Sequence, residues 1–262
     1  MAQVGSSFVS MSRLLSFYLV SQDYSAQAGS IPFACHPECG DLDSGDAIAS
    51  DVLAPEWWRI SRRARSQILD ANISRPVSVA HHKTLDGLGS VTALEFVSYV
   101  ANRLGTGIPR CAEVCAGPGY YGFMLLALGI CERMAFVEVN PRAVRMLRIT
   151  SRRNNLDDKV DIFESDSLSG VPASERGKWN VVVANPPHFK HLPDESLSSS
   201  AARSIDVNWT LHRRLYSAMP EFLQWRSGHI IFLEFTGGSS PEDFFPMIQD
   251  AGLVAAEIYT TD

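Results

Sequence analysis

The 262-residue sequence predicts an α/β protein built on a largely parallel, doubly wound sheet with helices on both faces, preceded by a mainly helical N-terminal extension. Two observations carry this reading. Short apolar runs beginning near Cys111, Met134, Lys159, Trp179, His229 and Val254 alternate with helical patterns, which is how strands covered on both faces by crossover helices are written. Glycines also cluster where the first run ends, at Gly117-Pro-Gly-Tyr-Tyr-Gly122, where a strand turns tightly into a helix.

The elements follow in order. Residues 1 to 22 read as a short amphipathic or loose segment. The apolar stretch Leu14 to Val20 is short for a secretory signal and contains Ser16, so a cytoplasmic location is expected. No run approaches the roughly 18 apolar residues needed to span a membrane. Residues 23 to 56 carry seven carboxylates and no Lys or Arg, the composition of an irregular acidic linker. A helix is predicted over about 55 to 70, with Pro55 in its first turn and Trp57, Trp58, Ile60, Ile68 and Leu69 set among Arg59, Arg62, Arg63 and Arg65. A surface helix with its basic face in water is preferred there over a substrate lid.

The turn Thr84 to Ser90 feeds a helix of about fifteen residues, with Thr92 and Glu95 spaced as a capping box and Gly105 as the stop. Residues 1 to 83 are therefore taken as the extension and 84 to 262 as the main domain. After the glycine turn, Phe123 to Leu128 is apolar all round and predicts a helix buried against the sheet. A helix from Pro141 carries Arg142, Arg145, Arg148 and Arg152 on one face, read as solvated. Beyond the strand at Trp179 to Ala184 a long loop runs to about Ile205, with Ser196 to Ser200 expected as a mobile tip. Trp209, His212, Arg213 and Tyr216 then share a helical face, either as an aromatic core stripe or as a pocket wall. A strand from His229 to Phe235, a helix from Pro241 to about Ala251 stopped by Gly252, and a strand from Val254 to Tyr259 complete the alternation.

Three strand ends carry chemistry. The turn after Glu113 brings backbone N–H groups and a helix N-terminus toward a nucleotide-like ligand. Glu138, about twenty residues on and at the end of the next strand, is placed to accept hydrogen bonds from both hydroxyls of a ribose. Asn185-Pro186-Pro187-His188 closes a later strand, where paired prolines stop the ladder and hold the chain rigid with exposed carbonyls.

With these motifs in this order, the sequence resembles the class I S-adenosylmethionine-dependent methyltransferases. It is most similar to the small-domain group that includes the glutamine methyltransferases of release factors and the amino-methylating nucleic-acid enzymes. The likeness covers roughly residues 84 to 260. It implies a Rossmann-like fold, S-adenosyl-L-methionine as cofactor and S-adenosyl-L-homocysteine as product. Glu113, Gly117, Gly119 and Gly122 then correspond to the motif holding the methionine part, and Glu138 to the ribose-binding acid. Asp166 corresponds to the residue receiving the adenine amino group, with Ser167 beside it. Asn185 to His188 corresponds to the Asn-Pro-Pro-aromatic motif, with His in place of the usual Tyr or Phe. The turn holding Asp86 and Gly87 lies, in that family, across the cofactor mouth. The family normally ends with a further antiparallel strand that this sequence lacks, which leaves the sheet edge bare, covered by the extension, or paired with a second copy in a homodimer.

Methyl transfer is an in-line displacement that requires a nucleophile held about 3 Å from the carbon. The Asn185 side-chain carbonyl and the Pro186 backbone carbonyl can accept two N–H bonds from a substrate amino group. That favours a planar nitrogen in an amide, guanidinium or aromatic amine, on a small molecule or a protein side chain. His188 either stacks on that group or takes its proton. Asn185, Pro186 and His188 are thus the catalytic candidates, and Asn185 also borders the cofactor. Phe189, Trp209, His212, Arg213 and Glu234 join His188 as substrate-binding candidates. A net charge of −6 disfavours a long nucleic acid, so an RNA or DNA base is the second choice, followed by a silent cofactor-binding partner protein. Among five cysteines, Cys35 and Cys39 are the only tempting metal pair, and without further ligands at characteristic spacing no metal is expected.

Overall fold

The computed structural model describes residues 13–20, 55–59, 77–82, 84–85, 89–190, 204–235 and 238–261. Seven strands form one sheet: β1 (Arg13–Val20), β4 (Cys111–Val114), β5 (Met134–Glu138), β6 (Val160–Glu164), β7 (Val181–Ala184), β8 (His229–Phe235) and β9 (Leu253–Thr261). Their order is β6-β5-β4-β7-β8-β1-β9, and every neighbouring pair runs parallel. The six strands expected from the apolar runs are all present, and the doubly wound α/β class holds. From β4 the chain winds outward through β5 and β6, then returns to the other side of β4 with β7 and β8. That reversal opens a crevice beyond the carboxyl ends of β4 and β7.

Helices α1 (Gly89–Leu104), α2 (Tyr120–Ala127) and α3 (Pro141–Arg153) pack on one face, and α4 (Thr210–Phe222) with α5 (Pro241–Asp250) on the other. The alternation of side chains along a strand separates two cores. Val181 and Val183 meet Phe96, Phe123 and Phe136, whereas Val182 and Ala184 meet Leu215, Tyr216 and Phe244. Burying each of these large apolar side chains contributes roughly 1.5–3 kcal/mol. Local signals set the helix ends. Asn140 caps α3 by accepting from the Arg142 N–H at 3.0 Å ahead of Pro141, and Gly105 ends α1 in the left-handed region with φ 79°.

Where the extension is described it is strand, which corrects the helical expectation. Glu56–Arg59 forms β2, not a helix, paired antiparallel with β3 (Ser78–His81). Tertiary contacts override local propensity here. The Thr150 hydroxyl accepts from the Ala80 N–H at 2.8 Å, and the Asn154 amide brackets Ser78 through two bonds of 3.0 and 2.9 Å. Trp57 lies under the Arg153 guanidinium at 4.8 Å and Trp58 meets Tyr120 edge-on at 5.2 Å. The first segment also becomes a strand: β1 enters the sheet between β8 and β9, so the extension supplies the seventh strand, parallel to its neighbours. Thr92 is no cap, since α1 already begins at Gly89; its hydroxyl is buried against the Tyr121 hydroxyl at 2.7 Å. The acidic linker ahead of Pro55, Asp86 and Gly87, the Ser196 to Ser200 tip, and Cys35 and Cys39 all lie outside the described residues.

Gly122 shows how tightly the turn is seated. A β-carbon there would stand 2.5 Å from Phe136 Cε1 and 2.7 Å from Glu113 Oε2. Gly122→Ala is therefore expected to destabilise the fold by about 1–3 kcal/mol, measured as a lowered urea midpoint. An unchanged midpoint would show that the turn yields freely.

Candidate active site

The carboxyl ends of β4, β5, β6, β7 and β8 open into one cavity of about 700 Å³. At the first end, the chain leaves β4 through Cys115, Gly117 and Gly119, all in the left-handed region with φ 56°, 51° and 84°. Gly119 also leaves no room for a side chain, since a β-carbon would sit 2.6 Å from Leu147 Cδ2. The buried Glu113 carboxyl lies beneath the turn and accepts from the Gly122 N–H at 2.7 Å. Burial pushes this carboxyl up to about 8, against the opposing pull of the Gly122 and Tyr121 amides.

Glu138, at the end of β5, ties the two turns together. Its Oε2 accepts from the Gly117 N–H at 2.7 Å and its Oε1 from the Asn140 N–H at 2.8 Å. Burial raises its pKa while these amides lower it. Each oxygen keeps lone-pair capacity beyond its backbone bond, and the side chain lines the cavity, so a pair of hydroxyls fits there. At the end of β6, Ser165, Asp166 and Ser167 border the same space. Asp166 is also held by Arg214 of α4 in a two-pronged ion pair at 3.0 and 3.0 Å. That arginine carried no sequence signal linking it to Asp166, because the two are joined only in three dimensions.

Asn185, Pro186, Pro187, His188 and Phe189 form the cavity wall beyond β7. The corner is anchored to the returning chain, with the Phe189 N–H donating to the Ser204 carbonyl at 2.9 Å and the Asp206 N–H to the Phe189 carbonyl at 2.8 Å. Behind His188 stands Glu234, fully buried on β8, with its Oε2 3.4 Å from His188 Nδ1. Glu234 Oε1 lies 2.9 Å from His212 Nε2, and His212 Nδ1 lies 2.7 Å from Asp206 Oδ2. Asp206 also accepts from the Leu211 and His212 N–H groups at 2.8 and 2.9 Å, which binds it to the first turn of α4.

Charge stabilises this buried row. Burial pushes the His212 imidazole down, but the Glu234 charge and hydrogen bonds to Asp206 and Glu234 raise it to about 9. Burial pushes Glu234 up, and the charge of His212 with hydrogen bonds from His188 and His212 more than reverses this. Asp206 likewise ends below the usual carboxylate range, its burial outweighed by bonds from His212 and two backbone amides.

The expected four-residue helical face divides. Trp209, His212 and Tyr216 are buried in the aromatic core with Phe232 and Phe244, and none of the three lines the cavity. Arg213 is exposed on another side of α4, where it donates to the Asn208 carbonyl at 2.9 Å. Trp209 and Arg213 are thus corrected as substrate-wall residues: turning the stripe toward the sheet buries the aromatics and leaves the arginine in water. His212 reaches the site only through Glu234. Asp206 was missed by sequence reasoning, although an acid just before a helix start is a recognisable capping signal.

Stability should follow these groups. His212 has a folded pKa raised above its unfolded value of about 6.5, so its contribution is complete below that pH and is lost as pH rises through about 9. Glu113, raised to about 8, likewise withdraws stability as pH rises from roughly 4.5. Asp206 and Glu234, both depressed, lose their contribution as the solution becomes acidic. A thermal midpoint highest near about pH 5–6 and falling toward pH 9 is expected by calorimetry, and a flat profile over that range would contradict the buried charge row.

Comparison with known proteins finds similarity over the stretch that holds the glycine turn and the Asn-Pro-Pro corner. Residues 96–203 match the family model described as methyltransferase small domain. A release factor glutamine methyltransferase of Clostridium acetobutylicum is 28% identical over 81 residues, 31% of this chain and 28% of that protein. A Methanocaldococcus jannaschii protein bearing the name of a protein N5-glutamine methyltransferase is 29% identical over 87 residues, 33% of this chain and 41% of its own. The matched region thus spans under half the length of either relative. A solved structure described as precorrin 8W decarboxylase from Methanobacterium thermoautotrophicum aligns with a TM-score of 0.42 and 16% identity, covering 60% of this chain and 71% of that one, a likeness too loose to carry a function. The glycine turn, the strand-end acids, the Asn-Pro-Pro corner and the match over residues 96–203 together make this chain similar to the class I S-adenosylmethionine-dependent methyltransferases of the small-domain group, among them the glutamine methyltransferases of release factors.

Proposed function

We propose that this chain methylates a planar nitrogen, in an amide, guanidinium or aromatic amine of a small molecule or protein side chain, using S-adenosyl-L-methionine. The observation that carries the reading is the Asn185-Pro186-Pro187-His188 corner opening into the same cavity as the glycine turn and Glu138. Bound S-adenosylmethionine would supply an electrophilic methyl group on sulfur. Gly117 and the helix start at Tyr120 would take its amino-acid part, with Gly119 shaping the turn behind them, Glu138 its ribose hydroxyls, and Asp166 with Ser167 its base. Asn185 and Pro186 would hold the acceptor nitrogen through their carbonyls, giving it one orientation and removing the entropy of a free encounter. His188 faces that position as a stacking surface or a proton acceptor. The two relatives named as glutamine methyltransferases support a protein amide as one acceptor class.

A second reading, a nucleic-acid base, draws on the helix α3 arginines. Arg142, Arg148 and Arg152 are exposed, yet the chain as a whole carries a charge of −6, so the side-chain or small-molecule reading is preferred.

A labelled methyl group offered to a cell extract, then separated into small-molecule, protein and RNA pools, should enter one of the first two. Asn185→Ala is expected to lower turnover by about 10²–10³-fold while calorimetric cofactor affinity stays within a few-fold. Label confined to RNA would favour the second reading, and equal turnover would remove Asn185 from the mechanism. Glu138→Ala is expected to weaken S-adenosylmethionine binding by at least about tenfold, since it loses the ribose partner and frees the Gly117 and Asn140 amides. An unaltered affinity would sink the ribose assignment.

A further inference from the structure

Resting on the methyltransferase reading, we propose that Glu234, His212 and Asp206 are positioning residues that set His188 as the base removing a proton from the acceptor nitrogen. The family-type aromatic at position 188 would need no such apparatus. Stacking requires only a flat ring, whereas here the ring nitrogen Nδ1 is met by a carboxylate with no solvent exposure, itself backed by a buried imidazole and a second carboxylate. A buried carboxylate is costly unless paired, so two of them in one line of contacts need a specific return.

Geometry assigns each role. Glu234 Oε2 accepts from His188 Nδ1–H, which fixes the tautomer and leaves the Nε2 lone pair for the cavity. The 3.4 Å separation is long, as catalytic hydrogen bonds often are before substrate arrives. His212 holds the opposite oxygen of Glu234 and prevents that carboxylate from turning away, and Asp206 fixes His212 from the α4 capping turn. Other titratable groups near this row are Cys115 and Tyr216, both kept neutral by burial and the neighbouring carboxylates.

The proton balance is simple. As the acceptor nitrogen's lone pair forms the new N–C bond, the S–C bond would break with its electron pair staying on sulfur in S-adenosyl-L-homocysteine, and the nitrogen then carries an extra bond and one added positive charge. His188 Nε2 takes one N–H proton, the bonding pair stays on nitrogen as its lone pair, and the product leaves with the charge the acceptor had before transfer. The row of Asp206, protonated His212 and Glu234 carries one net negative charge, so the imidazolium formed at His188 brings the cluster to zero. Such compensation matters most for an acceptor whose nitrogen holds its lone pair in a π system, such as an amide, which becomes strongly acidic as the new bond forms.

Four variants and two readouts test this. Glu234→Gln should lower kcat by about 10²-fold or more, with cofactor affinity unchanged within twofold and the acidic limb of the kcat–pH profile displaced. Glu234→Asp, which keeps the charge, should recover part of that loss. His188→Phe, which keeps the stacking surface, should lower kcat similarly and abolish the acidic limb. Wild-type kcat in His188→Phe would overturn the proposal in favour of stacking alone. A rise in KM with unchanged kcat in Glu234→Gln would overturn it in favour of a subsite for a cationic substrate. Imidazole ¹⁵N NMR of the cofactor-free chain is the second readout. It should show His188 as the Nδ1–H tautomer and His212 protonated on both nitrogens at pH 7.5, the former becoming a tautomer mixture in Asp206→Asn if Glu234→Gln does not fold. A His188 signal indifferent to both substitutions would overturn the relay even where methyl transfer proceeds. A wild-type chain that moves no methyl group while the NMR pattern holds would instead fault the methyltransferase reading.

Discussion

A carboxyl buried beneath a glycine turn is the contact on which the site depends. Glu113 accepts from the Gly122 N–H under the turn, and Glu138 accepts from Gly117 on its outer side, so two acids from adjacent strands clamp one short backbone segment. The turn cannot carry side chains where it touches Leu147 and Phe136, and its left-handed residues fold the chain back tightly, the Gly119 N–H donating to the Ala116 carbonyl at 2.8 Å. Without that clamp the helix start at Tyr120 would have no fixed relation to the strand ends that complete the pocket.

The same structure solves the problem of buried charge in two ways. Under the glycine turn, Glu113 is relieved by protonation and by backbone amides, which suits a group that supports a turn. Behind the Asn-Pro-Pro corner, Glu234 and Asp206 keep their charges because an imidazolium stands between them. One arrangement stiffens a loop, while the other leaves an organised negative site behind His188 at the cavity wall. A sheet with its switch point between β4 and β7 brings both to the mouth of a single crevice.

Much of this was legible beforehand. The six apolar runs, the glycine turn, Glu138 and the Asn-Pro-Pro corner each depend on neighbours in the chain, where period, turn chemistry and motif spacing act. The misreadings were of another kind. Trp57 and Trp58 looked helical because Pro55 and the arginines suit a helix, but the side chains of Thr150 and Asn154 bind the strand that pairs with them. The face bearing Trp209 and Arg213 was ambiguous because helical spacing says which residues align, not which way the helix turns.

The sequence by itself determined the class of sheet, the strand-end chemistry and the expectation of a nucleotide-type cofactor, because those rest on local periodicity and on residues close in the chain. Only the tertiary structure decided that β1 enters between β8 and β9, that Arg214 pairs with Asp166, and that His188, Glu234, His212 and Asp206 stand in line. Those relations join segments up to more than two hundred residues apart. Their physical basis is the need of buried polar groups for partners, and which partner arrives is settled only when the sheet has assembled.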